Sequence, residues 1–409
     1  MKLAIITSGY LPVPATRGGA VENLVENFIK ENEEENEIDI TIFSIYEKSA
    51  CEKAKLYNNA KVKFIKPSKF VEILDKLIYS FAKNVLKKEK TMSYRYICQR
   101  IYFLNKVSKA LKNDSYDKVL LENHATLFLS LKWRKNYKKY KDRYYYHLHN
   151  EITNDYGCKE IIKNCKKIIC VSNYIVKQTR EYLGKIKQEN DNFTVLKNCI
   201  DENEFINNIT QKKINEIKNK YKIEENEKVL LFTGRLTKEK GIKELLLSIK
   251  NVKNNNFKLL IVGSFFFDTN IKNNFENELK AIIEEIKDKV VFTGYIQYND
   301  IPNIYKLADI AVLPSIWEDP APLTIIEALK AGLPIITTRS GGIPEYVNNE
   351  CAIILEKDNK EQLIKQLSLN INELLSKDEK VNIMSKKCIE VSKELTLNNY
   401  YNNFLKELS

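Results

Sequence analysis

A chain of 409 residues, 44% of them hydrophobic, is long enough for two domains with separate cores and too apolar to be disordered in the main. Its net charge of +12 is held unevenly: residues 61–150 carry 22 Lys and Arg against 7 Asp and Glu, a local excess beyond any general Lys and Asn bias, pointing to an anionic partner for the first half. No run approaches the roughly 18 apolar residues of a membrane span, and eight scattered cysteines without a CxxC pair, with three histidines lacking ligand spacing, argue against a disulfide framework or a zinc site and suit a reducing cytoplasm.

The opening KLAIITS is too short and too soon polar for an export signal and reads as a first buried strand. GYLPVPATRGGAVENLVENFI follows, with Gly18 and Gly19 ahead of a helix whose apolar face is Val21, Leu24, Val25, Phe28 and Ile29. Glycines before a helix start expose amides at the positive dipole end, which suits a phosphate. An ordinary strand–helix turn explains them equally well, and the spacing is not GxGxxG. IDITIFSI and KVKFI are the next strands. KFVEILDKLIYSFAKNVLKKEK then sets Phe70, Leu74, Leu77, Phe81 and Val85 at helical spacing, with Lys69, Lys76, Lys83, Lys87 and Lys90 on another face. LKWRKNYKKYKDRYYY adds a basic, aromatic surface around Trp133. Such a helix fits an anionic membrane surface; a core-packed helix with a solvated basic back fits nearly as well.

DKVLLEN, RYYYHLH, KKIICVS and FTVLKN complete the strands of the first half. His124, His147 and His149, the whole histidine complement, fall at the carboxyl ends of two of them. Period-2 alternation turns His147 and His149 to one face. The polar segment 201–227 is the expected joint. KVLLFTG, FKLLIVG, KVVFTG, IAVLPS, LPIITT and CAIILE follow as strands, again alternating with helical patterns. Two α/β domains with parallel sheets are therefore expected, with ligands beyond the carboxyl ends of the strands.

GRLTKEKG places Arg235 and Lys240 just after a strand, a planar fork and a mobile point charge suited to a diphosphate. In WEDPAPLTIIEALKAGLP a helix should begin near Pro322, leaving the amides of Leu323, Thr324 and Ile325 unpaired. Asp319 lies ahead of that helix and Glu327 in its second turn. Carboxylates beside an anion site would repel phosphate, so they suit sugar hydroxyls instead.

Together the Gly-Gly loop, CVSNY, LKNCID, FTGRLTKEKG, IVGS, VVFTGYI, ADIAVLPS and EDPAPLTIIEALKAGLPIITTRSGGIPE resemble the retaining glycosyltransferases of family 4, over most of the chain. The last block is the specific one. The resemblance implies the GT-B fold, two facing Rossmann-like domains with an interdomain cleft. It divides the chain into an acceptor domain (1–200), a donor domain (201–385) and a closing helix (386–409) returning to the first. It implies a nucleotide-sugar donor, UDP-linked before other bases, and a glycan or polyprenyl-linked acceptor in bacterial surface polysaccharide synthesis. It implies no metal or other cofactor and no nucleic acid, and places the enzyme in the cytoplasm or on the inner face of the plasma membrane. By resemblance Gly18, Gly19, Arg235, Lys240, Leu323 and Thr324 hold the donor diphosphate. Glu327 takes the ribose hydroxyls, while Tyr295 and Ile296 border the base. His149, ahead of His147, contacts the sugar near the reacting carbon, so His149, Asp319 and Glu327 form the catalytic set. His124, His147 and Asn198 are left for the acceptor or the cleft. Asp319 stands where the family carries glutamate, with Glu318 beside it out of register, and Lys197 and Cys199 replace a common proline and glycine. A sugar-nucleotide epimerase, a silent nucleotide-sugar binder and a nucleic-acid-binding protein are the rival readings.

Overall fold

The computed structural model describes residues 1–84, 96–184, 192–206, 210–263, 274–294, 296–297 and 300–409. They form two compact units, Met1–Leu196 with Tyr400–Ser409, and Lys197–Asn399. The sequence suggests boundaries near 200 and 385. The helix Asp378–Ser392 instead belongs to the second unit, and only the part of helix Leu397–Leu408 from Tyr400 onward joins the first. There the Tyr401 hydroxyl donates to Asn32 Oδ1 at 2.7 Å, and Phe404 packs on Phe28.

Every apolar run named above forms a strand. In unit 1 they are β1 (Lys2–Ile6), β2 (Asp39–Ile45), β3 (Ala60–Ile65), β4 (Lys118–Glu122), β5 (Tyr144–Leu148), β6 (Ile168–Cys170) and β7 (Phe193–Val195). Their order is β3-β2-β1-β4-β5-β6-β7, all parallel. Unit 2 has β8 (Lys228–Thr233), β9 (Phe257–Val262), β10 (Val290–Gly294), β11 (Ile310–Leu313), β12 (Ile335–Thr338) and β13 (Ala352–Leu355). These lie in the order β10-β9-β8-β11-β12-β13, also parallel. Leu3–Ile6, Val119–Leu121 and Leu230–Phe232 are buried, as strands covered on both faces must be. In each sheet the winding reverses once, between β1 and β4 and between β8 and β11, which opens a crevice at the carboxyl ends there.

The helix Lys69–Asn84 departs from the core-packed alternative. Phe70, Ile73, Leu77 and Phe81 are 68%, 54%, 61% and 55% exposed, so its most apolar stripe faces outward. Asp75 and Ala82 are buried instead. Asp75 accepts from the amides of Cys98 and Gln99 at 2.7 and 3.0 Å and so caps the next helix, Ile97–Asn113. Val85, Lys87, Lys90 and Tyr295 lie outside the described residues.

Candidate active site

In unit 2 the turn after β8 packs on the segment after β11. Gly241 makes this possible: its φ is +69°, and a Cβ there would meet the Pro314 carbonyl oxygen at 1.8 Å. The approach brings Lys240 onto Asp319, and the two side chains form an ion pair. Around the pair is a small cavity, of about 20 Å3, walled also by Thr233, Ser315, Pro322 and Thr324. It lies at the switch point between β8 and β11. The helix Leu323–Lys330 starts at its edge, with Pro322 as a cap that has no side-chain acceptor; contrary to the sequence expectation the Ile325 amide is taken, donating to the Pro322 carbonyl at 3.1 Å. Arg235 is exposed two residues past β8. The Glu239 carboxyl is lowered, first by the neighbouring Thr237 hydroxyl and further by the charges of Arg235 and Lys240, so both cations act on this turn.

Asp319 is held through its backbone, its carbonyl accepting from the Gly342 amide at 2.8 Å. Glu318 is committed elsewhere: it pairs with Lys357 at 2.6 Å and accepts from the Gly341 amide. It does not stand in for a longer carboxylate at 319.

Glu327 is buried and does not line the cavity. Its Oε2 accepts from the Tyr305 hydroxyl at 2.7 Å, and that hydroxyl lies 2.7 Å from Thr233 Oγ1, which does line it. Burial pushes the Glu327 carboxyl up to about 7, against the Tyr305 hydrogen bond and with a contribution from Glu204. Asn198 belongs to this unit, its amide donating to the Tyr346 hydroxyl (2.9 Å) and its Nδ2 to the Ala321 carbonyl (3.1 Å). Ile296 is half-buried against the core and outside the cavity wall.

Unit 1 carries a second cluster. His147 and His149 do share a face, their ring centroids 4.1 Å apart. Between them is Glu122, the last residue of β4, which sequence spacing did not flag because it lies 25 and 27 residues away. His147 Nδ1 is 3.1 Å and His149 Nε2 3.3 Å from Glu122 Oε2, with 3.2 Å between the two nitrogens. Burial alone would raise Glu122, but His147 and then His149 hold its carboxyl well below the usual range. Burial, with His147 beside it, lowers His149 to about 4 against the pull of Glu122, which keeps the His149 imidazole neutral near pH 7. These three are the one group of metal-ligating type among the described residues, their donor atoms within 4.8 Å. The two imidazoles, meeting edge to face at 60°, both contact the carboxylate, so the geometry is that of a hydrogen-bonded clamp on His149.

Gly18 and Gly19 precede the helix Ala20–Glu35 without a side-chain cap. Glu22 of its first turn is buried there, its carboxylate accepting from Ser8 Oγ at 2.6 Å and raised by burial. This helix start therefore already faces a carboxylate of its own. Gly18 and Gly19 lie in unit 1, while Arg235, Lys240, Leu323 and Thr324 lie in unit 2.

Residues 213–391 match the family described as Glycosyl transferases group 1. Spore coat protein SA of Bacillus subtilis (strain 168) is 26% identical over 384 residues, 93% of this chain and 91% of that protein. The UDP-Gal:alpha-D-GlcNAc-diphosphoundecaprenol alpha-1,3-galactosyltransferase of Escherichia coli is 31% identical over 172 residues, 41% of each chain. Among solved structures, Anabaena Alr3699/HepE in complex with UDP superposes with a TM-score of 0.71 at 15% identity, covering 100% of this chain and 99% of that one.

Proposed function

We propose that this chain, with its GT-B fold and a second unit that matches the glycosyl transferases of group 1 over residues 213–391, is a glycosyltransferase that moves a sugar from a UDP-sugar to a glycan or lipid-linked acceptor, with retention of the anomeric configuration and without a metal. The observation that carries this reading is the Lys240–Asp319 pair in a cavity at the β8/β11 switch point, beside an uncapped helix start. Breaking the glycosidic bond loads negative charge onto a nucleoside diphosphate. Arg235, Lys240 and the Leu323 and Thr324 amides are fixed positive groups that suit that charge. Until a donor binds, Asp319 neutralises Lys240. A diphosphate on Lys240 frees Asp319 to accept from the hydroxyls of the transferred sugar. Among the described residues lining the cavity Asp319 is the one carboxylate, and with it given to the sugar hydroxyls the departing phosphate takes the acceptor proton on the face it leaves. His149, neutral and held by Glu122, contributes a hydrogen bond rather than a charge.

UDP binding comes to this chain from the UDP complex of the fold neighbour and the lipid-linked acceptor from the name of the Escherichia coli relative. The test is incubation with UDP-sugars and a prenyl-diphospho-sugar acceptor, in EDTA, with the product anomer read by NMR. A product of retained configuration supports the reading; an inverted product, or free epimerised donor, removes it.

The outward stripe of Phe70, Ile73, Leu77 and Phe81 within the basic segment supports work at an anionic inner leaflet. No helix among the described residues is long and apolar enough to cross a membrane. Phe70→Ser with Phe81→Ser should weaken sedimentation with anionic vesicles at least about tenfold, since burying one such side chain contributes roughly 1.5–3 kcal/mol. Equal sedimentation of the two proteins would exclude the stripe as the contact.

A further inference from the structure

Unit 1 holds a buried cation that no carboxylate among the described residues neutralises. Arg100, on helix Ile97–Asn113, is 6% exposed. Its Nη2 donates to Thr126 Oγ1 at 2.5 Å. Nε and Nη1, which carry three of the five guanidinium N–H groups, have no acceptor among the described residues. The two buried carboxylates nearest in sequence are both committed, Asp75 to the amides of Cys98 and Gln99 and Glu122 to the rings of His147 and His149. Burial lowers the guanidinium only to about 10, with Tyr10 and Tyr156 opposing, so it is charged at pH 7. A buried ion without a partner costs several kcal/mol, and natural folds seldom keep one that nothing ever pairs.

The placement is as informative as the missing partner. Arg100 lies at the switch point of the unit 1 sheet, against the segments that follow β1 and β4. Gly9, with φ +70°, brings the chain so near that a Cβ would lie 2.7 Å from Nη1. The next residue, Tyr10, stacks its ring 4.4 Å from the guanidinium carbon and meets the His124 ring edge-on at 5.3 Å. Tyr10 is itself 47% exposed, so its ring covers the cation from the solvent side. Burial, then the charge of Arg100, lowers His124 to about 4, leaving a neutral imidazole that can donate to an anion without competing for it.

We propose that Arg100, with Thr126 and His124, forms a subsite for a phosphate or diphosphate group on the acceptor, opened when the Tyr10 ring swings off the guanidinium. The planar fork of arginine suits such a group, and the apolar and aromatic surroundings strengthen the contact once water is excluded. The proposal rests on unit 1 being the acceptor half of a glycosyltransferase, and it deepens that reading by naming an anionic acceptor.

The test is thermal unfolding of the full chain in saturating UDP at fixed ionic strength. Three probes are added separately: glucose 1-phosphate, a short-chain prenyl-diphospho-glucose, and methyl glucoside as the uncharged control. The two anions should raise the midpoint of the wild type and methyl glucoside should not. The larger of the two shifts distinguishes a soluble sugar phosphate from a lipid-linked diphosphate. Arg100→Met should lose the anion shift, keep the UDP shift, and unfold at or above the wild-type temperature, because an apolar chain of similar length replaces an unpaired charge. Arg100→Lys should keep part of the anion shift. Equal anion shifts in wild type and Arg100→Met, no anion shift in the wild type, or loss of the UDP shift in Arg100→Met would each overturn the proposal. An Arg100→Met protein that unfolds early while Arg100→Lys ignores the anions would make the arginine structural and overturn it too. A wild type that ignores UDP would sink the donor assignment instead, and the anion shifts measured without UDP would still decide the role of Arg100.

Discussion

Lys240→Ala should lower kcat by about 100- to 1,000-fold, and Arg235→Ala by a similar factor, the loss seen when one fixed donor to a developing anion is removed. The effect should fall on kcat more than on KM, because charge on the leaving diphosphate grows only as the glycosidic bond breaks. The two variants should differ in stability. Lys240 pairs with Asp319, whose side chain is only 13% exposed, so its removal strands a mostly buried carboxylate and lowers the unfolding midpoint. Arg235 is exposed, and its loss should leave the midpoint near the wild type. Asp319→Asn separates binding from chemistry. It unmasks Lys240, so UDP should bind at least as tightly as before, while turnover falls for want of the sugar contact. Calorimetry with UDP on all three variants, beside steady-state rates, checks the pattern; weaker UDP binding by Asp319→Asn than by Lys240→Ala would contradict it.

The second large effect is a pH dependence centred on Glu327. Its folded-state pKa is about 7 against an ordinary 4.5. Between those values the folded protein binds more protons than the unfolded chain, so stability from this group is present below about 4.5 and lost as pH rises through 7. Glu327→Gln should remove that loss and be the more stable protein at pH 8. On the proposal that Glu327 accepts from the ribose hydroxyls, the ionised carboxylate is the stronger acceptor, so wild-type UDP affinity should rise from pH 6 to pH 8. Glu327→Gln should bind UDP about tenfold or more weakly at pH 8, the worth of a hydrogen bond to a charged group, with a flat profile. A wild-type affinity that does not change with pH, or a variant that follows the same curve, would rule out the ribose role.

The strand pattern was legible because parallel strands buried on both faces read as apolar runs, and all thirteen stood out against polar turns. The strand-end residues Lys240, Asp319, His147 and His149 were legible for the same reason. What locks them was not, because the pairings are made by the fold. Tyr305 meets Glu327 across 22 residues, Glu122 meets His149 across 27, and Lys240 meets Asp319 across 79. Periodicity located the apolar stripe of Lys69–Asn84 but could not say whether it faced in or out. The signal was Asp75, a carboxylate on the opposite side of the helix, which turned inward to cap its neighbour. The Gly18-Gly19 pattern was equally legible, yet nothing in GGAVE showed that Glu22 would fold beside that helix start.

Where the diphosphate binds is the decisive observation. A crystal structure with a non-hydrolysable UDP-sugar should place the diphosphate oxygens within hydrogen-bond distance of Lys240, Arg235 and the Leu323 and Thr324 amides, with the ribose reaching Glu327 and Asp319 released to the sugar. A nucleotide bound elsewhere, with the Lys240–Asp319 pair intact beneath solvent, would contradict it.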